Sequence, residues 1–119
     1  MAAPNLVQVT SVYGRTTSTS IGTAVTTVVS NPTSSNKSYK LNSLYISNID
    51  TGGDVKVSVD FFRSGTSIRL IDRMTISPGD SLVALSRDTS IYLEEGDSLR
   101  AYSDVAGRTH LVLSYEING

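Results

Sequence analysis

From Val55 the chain alternates without a break. Val55, Val57, Val59 and Phe61 fall on one side, and Lys56, Ser58, Asp60 and Phe62 on the other. That period of two is the signature of a half-buried strand, because successive side chains of a strand point to opposite faces. Phe62 interrupts the polar side and becomes a candidate contact. The last stretch repeats the pattern, with Leu111, Leu113, Tyr115 and Ile117 against Val112, Ser114 and Glu116. So does Leu99 and Ala101 against Arg100 and Tyr102. Shorter apolar runs predict further strands: Leu6 to Gly14, Val25 to Val29, Tyr39 to Ile49, Ile68 to Ile76, Leu82 to Leu85, and Ile91 to Leu93. In Tyr39 to Ile49 the phase slips at Ser43-Leu44, which predicts a β-bulge. Arg15 to Ser20 is hydroxyl-rich and reads equally as a loop or as a strand edge, since Thr favours extended backbone.

Turn chemistry separates these runs. Asn31 to Ser38 has Pro, Asn and Ser and no apolar residue to pin it, and reads as a loop. Asp50-Thr-Gly-Gly-Asp54 predicts a hairpin, with Gly-Gly supplying positive φ. Arg63-Ser-Gly-Thr66 predicts a second. The tetrapeptide Gly-Asp-Ser-Leu occurs twice, at Gly79 to Leu82 and at Gly96 to Leu99, each time where a turn hands over to a strand. Gly79 and Gly96 are the expected bends, and Asp80 and Asp97 the expected caps for free backbone N–H groups.

Eight or nine short strands, with no window of helical period, indicate an all-β protein: an antiparallel β-sandwich, jelly-roll-like. The 119 residues suit a single domain over residues 7–119 with an N-terminal arm at 1–6, where Pro4 and small residues specify little. A 39% apolar content supports only a thin core, and Ser and Thr exceed a quarter of the chain. A net charge of -1 lacks the basic excess of a nucleic-acid binder. The absence of cysteine removes disulfides and thiolate metal sites. No basic, then apolar, leader is visible, and no apolar run is long enough to span a bilayer as a helix.

Gly-Asp-Ser-Leu also marks an esterase family, with Ser81 or Ser98 as nucleophile and His110, the lone histidine, as base. The resemblance stops at the tetrapeptide. Those enzymes carry the motif early in an α/β domain and follow it with an Asp-x-x-His block that has no match near His110. Glu94, Glu95 and Asp97 read as a solvated turn, with a divalent-cation site as the alternative. Neither catalytic nor cofactor-binding residues are expected. The interesting remainder is six tyrosines and seven arginines, the residue types enriched at protein interfaces. Leu6, Tyr13, Arg15, Phe62, Arg63, Arg100 and Tyr102 are the candidate interface residues.

Ile76-Ser-Pro-Gly-Asp-Ser-Leu-Val-Ala-Leu85, Ile91-Tyr-Leu-Glu-Glu-Gly-Asp-Ser-Leu-Arg-Ala101 and Leu111-Val-Leu-Ser-Tyr-Glu-Ile117, with Ala3-Pro-Asn-Leu6 and Tyr13-Gly-Arg-Thr16, make the chain resemble small virion structural proteins of tailed phages. The likeness is to those of T4-like phages of cyanobacteria and other marine bacteria. It implies a non-enzymatic particle component without cofactor, nucleic acid, membrane or small-molecule substrate. The leading expectation is a capsid decoration or cement protein on the outer capsid surface, contacting the major capsid protein and copies of itself as a homotrimer. A neck, tail or fibre-attachment protein and a host-glycan binding module are the alternatives.

Overall fold

The computed structural model describes residues 11–119, which form nine strands. They are β1 (Val12–Ile21), β2 (Thr26–Ser30), β3 (Ser38–Asn48), β4 (Val55–Arg63), β5 (Thr66–Ile76), β6 (Ser81–Leu85), β7 (Ile91–Leu93), β8 (Ser98–Ser103) and β9 (Thr109–Asn118). One sheet runs β1-β9-β3-β6, with β7 also paired to β3; the second runs β2-β8-β4-β5, and every pairing is antiparallel. The protein is therefore all-β, two sheets forming a sandwich.

The core lies where the alternating apolar positions of the two sheets meet. Leu41, Leu44, Ile46, Leu93, Leu111 and Leu113 from the first sheet face Val55, Val57, Val59, Leu99 and Ala101 from the second, all buried. Packing of this kind gives about 25 cal/mol per Å² of apolar surface removed from water. The predicted faces of β4, β8 and β9 are those observed.

Bulges adjust the pairing. Asn42 is the extra residue of β3 against β9, beside the predicted slip. Ala84 is skipped in the pairing of β6, so Leu85 is buried while Val83 faces solvent. Two shifts also break β5 against β4, at Leu70 and around Asp72-Arg73. Arg73 has φ of +50°, left-handed backbone in a non-glycine residue, and its N–H donates to Ser58 Oγ at 3.1 Å.

Of the two readings of Arg15 to Ser20 the strand edge holds: it belongs to β1, at the edge of its sheet; the expected strand start at Leu6 and the arm at 1–6 lie outside the described residues. One sequence expectation changes. Asp50 to Asp54 is not a hairpin. It carries the chain from β3 in one sheet to β4 in the other, and neither Gly52 nor Gly53 has positive φ. The crossing is held by Asn48, 1% exposed, whose Nδ2 donates to Gly53 O and Ile76 O, both at 2.9 Å. Arg108 packs against Gly53 and pairs with Asp50 at 3.0 Å.

Candidate interaction surface

The repeated tetrapeptide makes the same backbone device twice. Gly79 and Gly96 have φ of +81° and +86°, values L side chains rarely adopt. Gly79 N donates to Asn48 O at 3.0 Å, and Asn48 N to Asp80 O at 3.0 Å. In the other copy Gly96 N donates to Asn31 O at 2.8 Å, and Asn31 N to Asp97 O at 2.9 Å. In both, the serine of the motif faces the serine just before the asparagine: Ser81 against Ser47, and Ser98 against Ser30. Each asparagine amide then donates to two backbone carbonyls, Asn48 as described and Asn31 to Lys37 O at 2.8 Å and Leu93 O at 3.0 Å. Asn31 is fully buried, so the loop that follows it is pinned by a polar side chain rather than an apolar one.

The aspartates diverge. Asp80 is exposed, and its main chain does the work of the corner. Asp97 is 0% exposed; its Oδ2 accepts from Glu94 N at 2.8 Å, and Arg63 grips it in a fork, Nε to Oδ1 at 2.9 Å and Nη2 to Oδ2 at 2.6 Å. Arg63 Nη2 also reaches Glu94 at 2.9 Å, and the guanidinium lies 4.9 Å from the Phe61 ring centre. The hydrogen bond to Asp97 raises the Arg63 pKa above its ordinary value, against the opposing effect of burial. The pair ties the tip of the β4–β5 hairpin to the β7–β8 turn. Of the three carboxylates weighed as a cation site, Glu94 and Asp97 are thus engaged with Arg63.

The outer face of the second sheet carries the densest polar and aromatic cluster. Arg100 on β8 stands opposite Asp60 on β4, and Asp60 opposite Arg69 on β5. Asp60 is 5% exposed although it lies on the outward side, because Arg69 covers it and pairs with it. Arg69 also donates from Nη1 to Asp72 Oδ1 at 2.6 Å and from Nη2 to the Tyr102 hydroxyl at 2.8 Å. The Asp60 hydrogen bond raises the Arg69 pKa, and the hydrogen bond from Arg73 is the first cause holding Asp72 below the usual carboxylate range. The Arg100 guanidinium carbon lies over Phe62, 3.5 Å from the ring centre, a cation–π contact. Its Nε is buried and has no hydrogen-bond partner among the described residues.

Of the candidate interface residues, Phe62, Arg100 and Tyr102 are brought together here, joined by Asp60, Arg69 and Asp72. Arg63 lies at the hairpin end, committed to Asp97. Tyr13 and Arg15 are exposed on β1, at the edge of the other sheet, and Leu6 lies outside the described residues. Sequence reasoning missed Asn31, Asn48, Ser58, Asp60 and Arg69. The only sequence signal for the asparagines is Ser-Asn closing an apolar run, at Ser30-Asn31 and Ser47-Asn48.

The hydrolase residues are not assembled around His110. Ser98 is buried, and Ser81 Oγ is 2.8 Å from Ser47 Oγ. His110 is exposed on β9, opposite Ser20 and Ser47. That puts Ser81 two strand spacings of backbone away, about 9–10 Å, and the partner of its hydroxyl is Ser47 rather than His110.

No family model matches the chain, and no curated protein does. Among solved structures the chain is similar to one from Bacillus, described as "Bacillus endospore appendages form a novel family of disulfide-linked pili". The identity is 13%, over 93% of this chain and 90% of that one, with a TM-score of 0.53. The likeness is one of fold.

Proposed function

We propose that this chain is a non-enzymatic structural subunit of a tailed-phage particle, a decoration or cement protein seated on the outer capsid surface and bridging the joints between capsomers. The observation that carries the reading is the outer face of β8, β4 and β5. There Phe62, Arg69, Arg100 and Tyr102 form a platform in which Asp60 and Asp72 hold Arg69, Arg69 donates to the Tyr102 hydroxyl, and Arg100 stacks over Phe62. Arg and Tyr held in this way lose little side-chain entropy on binding, which is what interface hot spots require. The strand order supports the same reading. We read β6 and β7 as one broken strand, and on that reading the orders β1-β9-β3-β6 and β2-β8-β4-β5 support a jelly roll, an architecture used in viral capsid domains. The virion-protein resemblance of the C-terminal half agrees with it.

A second reading, a neck, tail or fibre subunit, is favoured by one observation: the similarly folded protein forms pili. Its disulfide linkage does not transfer, since this chain has no cysteine. Immunogold labelling of intact particles, with copy number from quantitative gel analysis, tests the proposal. Label over the whole capsid in hundreds of copies is expected; label confined to neck or tail overturns it.

A further inference from the structure

Among the described residues the sandwich has four free strand edges, and they are not alike. The β6/β7 edge is short and broken by a single 3-10 turn at Arg87–Thr89. On the second sheet, β2 has five residues and a bulge at Val28. At the other side of that sheet β5 is longer, but two register shifts bend it and Arg69, Asp72 and Arg73 charge it. Each of these is a known way of blunting an edge against unwanted pairing. β1 has none of them. It pairs with β9 through ten consecutive residues without a register shift, contains no proline, and has Arg15 as its single charge.

The backbone groups that β1 leaves free can be assigned. Gly119 N donates to Ser11 O at 3.0 Å, and these residues are opposite one another in the β1–β9 register. Hydrogen-bonded pairs alternate along an antiparallel ladder. The odd-numbered residues of β1 therefore bond to β9, and Val12, Gly14, Thr16, Ser18 and Ser20 direct N–H and C=O toward the open edge.

We propose that this edge pairs with the same edge of a second copy, antiparallel about a two-fold axis centred on Thr16. Parity and overlap fix the choice: an axis perpendicular to the sheet keeps both outer faces on one side, so even residues face even residues, and centring on Thr16 pairs all five outward residues of β1 where either neighbouring centre pairs four. Centring on Thr16 sets Thr16 against Thr16, Gly14 against Ser18, Val12 against Ser20 and Arg15 against Thr17. Centring one residue earlier sets Arg15 against Arg15, a like-charge pair that destabilises a ladder. The chosen register exchanges about ten backbone hydrogen bonds. Because the remaining edges are blunted, β1 has only itself as a match. A two-fold dimer therefore replaces the three-fold ring expected from the sequence, since a ring joins two different surfaces. The inference stands apart from where the protein sits in a particle.

Light scattering on the purified chain is expected to give twice its 12.7 kDa mass at high micromolar concentration. Thr16→Lys places two ammonium groups face to face, and Ser18→Pro removes an outward N–H while leaving the β9 bonds; both are expected to be monomeric with the melting temperature of the folded monomer little changed. The chain has no cysteine, so single cysteines report the register. Thr16→Cys stands about 5.5 Å from its copy across the two-fold, and a short bismaleimide is expected to join it. Ser20→Cys stands about 27 Å from its copy at the strand rise of about 3.4 Å per residue, and is expected not to be joined. A monomeric wild-type chain overturns the proposal, and so does a dimer in which both cysteines or neither are cross-linked.

Discussion

Asn48→Asp changes one amide nitrogen to oxygen and leaves the shape of the side chain intact, so it isolates the corner clasp. In the wild-type protein Asn48 is 1% exposed, its Nδ2 donates to Gly53 O and Ile76 O, and its Oδ1 accepts from Asp50 N at 3.0 Å. An aspartate there replaces the double donor by an acceptor that faces two carbonyl oxygens, themselves acceptors. Each lost bond is worth about 0.5–1.5 kcal/mol net. A protonated aspartate restores one donor, so the neutral variant is expected to cost about 1–2 kcal/mol. The ionised variant adds burial of a charge facing two carbonyls, and burial raises the pKa of a carboxyl.

The sign of the pH effect follows from that raised pKa. Between the unfolded value of about 3.9 and the higher folded value, the folded state holds more protons than the unfolded state, so stability falls as pH rises, by up to about 1.4 kcal/mol per unit. A folded pKa two units above the unfolded one therefore brings the cost at pH 7 to about 4 kcal/mol. Urea denaturation of variant and wild type at pH 4 and pH 7 measures both numbers. Asn31→Asp is expected to behave in parallel, because its amide makes the same two donations at the other corner. Asn36→Asp, at an exposed loop position, is expected to stay within about 0.5 kcal/mol of wild type at both pH values. An Asn48→Asp penalty that is equal at pH 4 and pH 7 would refute the argument, since the donor inversion could not then be its source.

Three shorter predictions use other parts of the molecule. Asp97→Ala removes the acceptor of Glu94 N and the Arg63 fork, the latter discounted because Arg63 is 39% exposed; about 2 kcal/mol is expected, against about 0.5 kcal/mol or less for Asp80→Ala, read from urea midpoints. Tyr39, stacked on Tyr115 with ring centres 5.7 Å apart, has its pKa raised above 10.0, first by burial and then by Tyr115. The unfolded phenol ionises first, so stability is expected to fall as pH rises above about 10; in ultraviolet titration Tyr39→Phe is expected to remove the latest-titrating phenolate. Deleting residues 2–6 is expected to lower occupancy on particles while leaving the melting temperature unchanged, and equal occupancy with and without them would remove the arm from assembly.

How far the fold could be read depended on whether a position's neighbours were close in sequence. The faces of β4, β8 and β9 were visible because apolar and polar residues alternate along each strand, and that contrast is local. β1 was ambiguous because Thr and Ser line both of its faces, so no period marks which side is buried. The crossing at Asp50 to Asp54 was misread because a hairpin and a passage between sheets use the same turn residues; what separates them is the amide of Asn48 and the guanidinium of Arg108, both brought in from outside the turn. Ser58 and Asp60 read as outward and solvated, yet they are buried because β5 bulges and places the Arg73 backbone and the Arg69 side chain over them.

The repeated tetrapeptide carried more information than one copy of it could. Its glycine and serine have the same backbone role in both corners, and each copy is matched to a Ser-Asn that closes a strand; the two asparagines stand as far apart along the chain as the two glycines. The side chains of the two copies diverge: Ser81 is exposed and pairs with Ser47 Oγ at 2.8 Å while Ser98 is buried, and the larger difference is at the aspartate. Asp80 leaves its side chain in solvent at the corner between β5 and β6, whereas Asp97 is buried by Arg63 at the opposite corner, where the β4–β5 hairpin must be fastened. The hairpin carries Phe62 and Arg69, so fastening its tip also fixes the platform on the outer face. A corner device that folds the chain twice thus has, in one copy only, the added task of fastening the hairpin that carries the outer-face cluster.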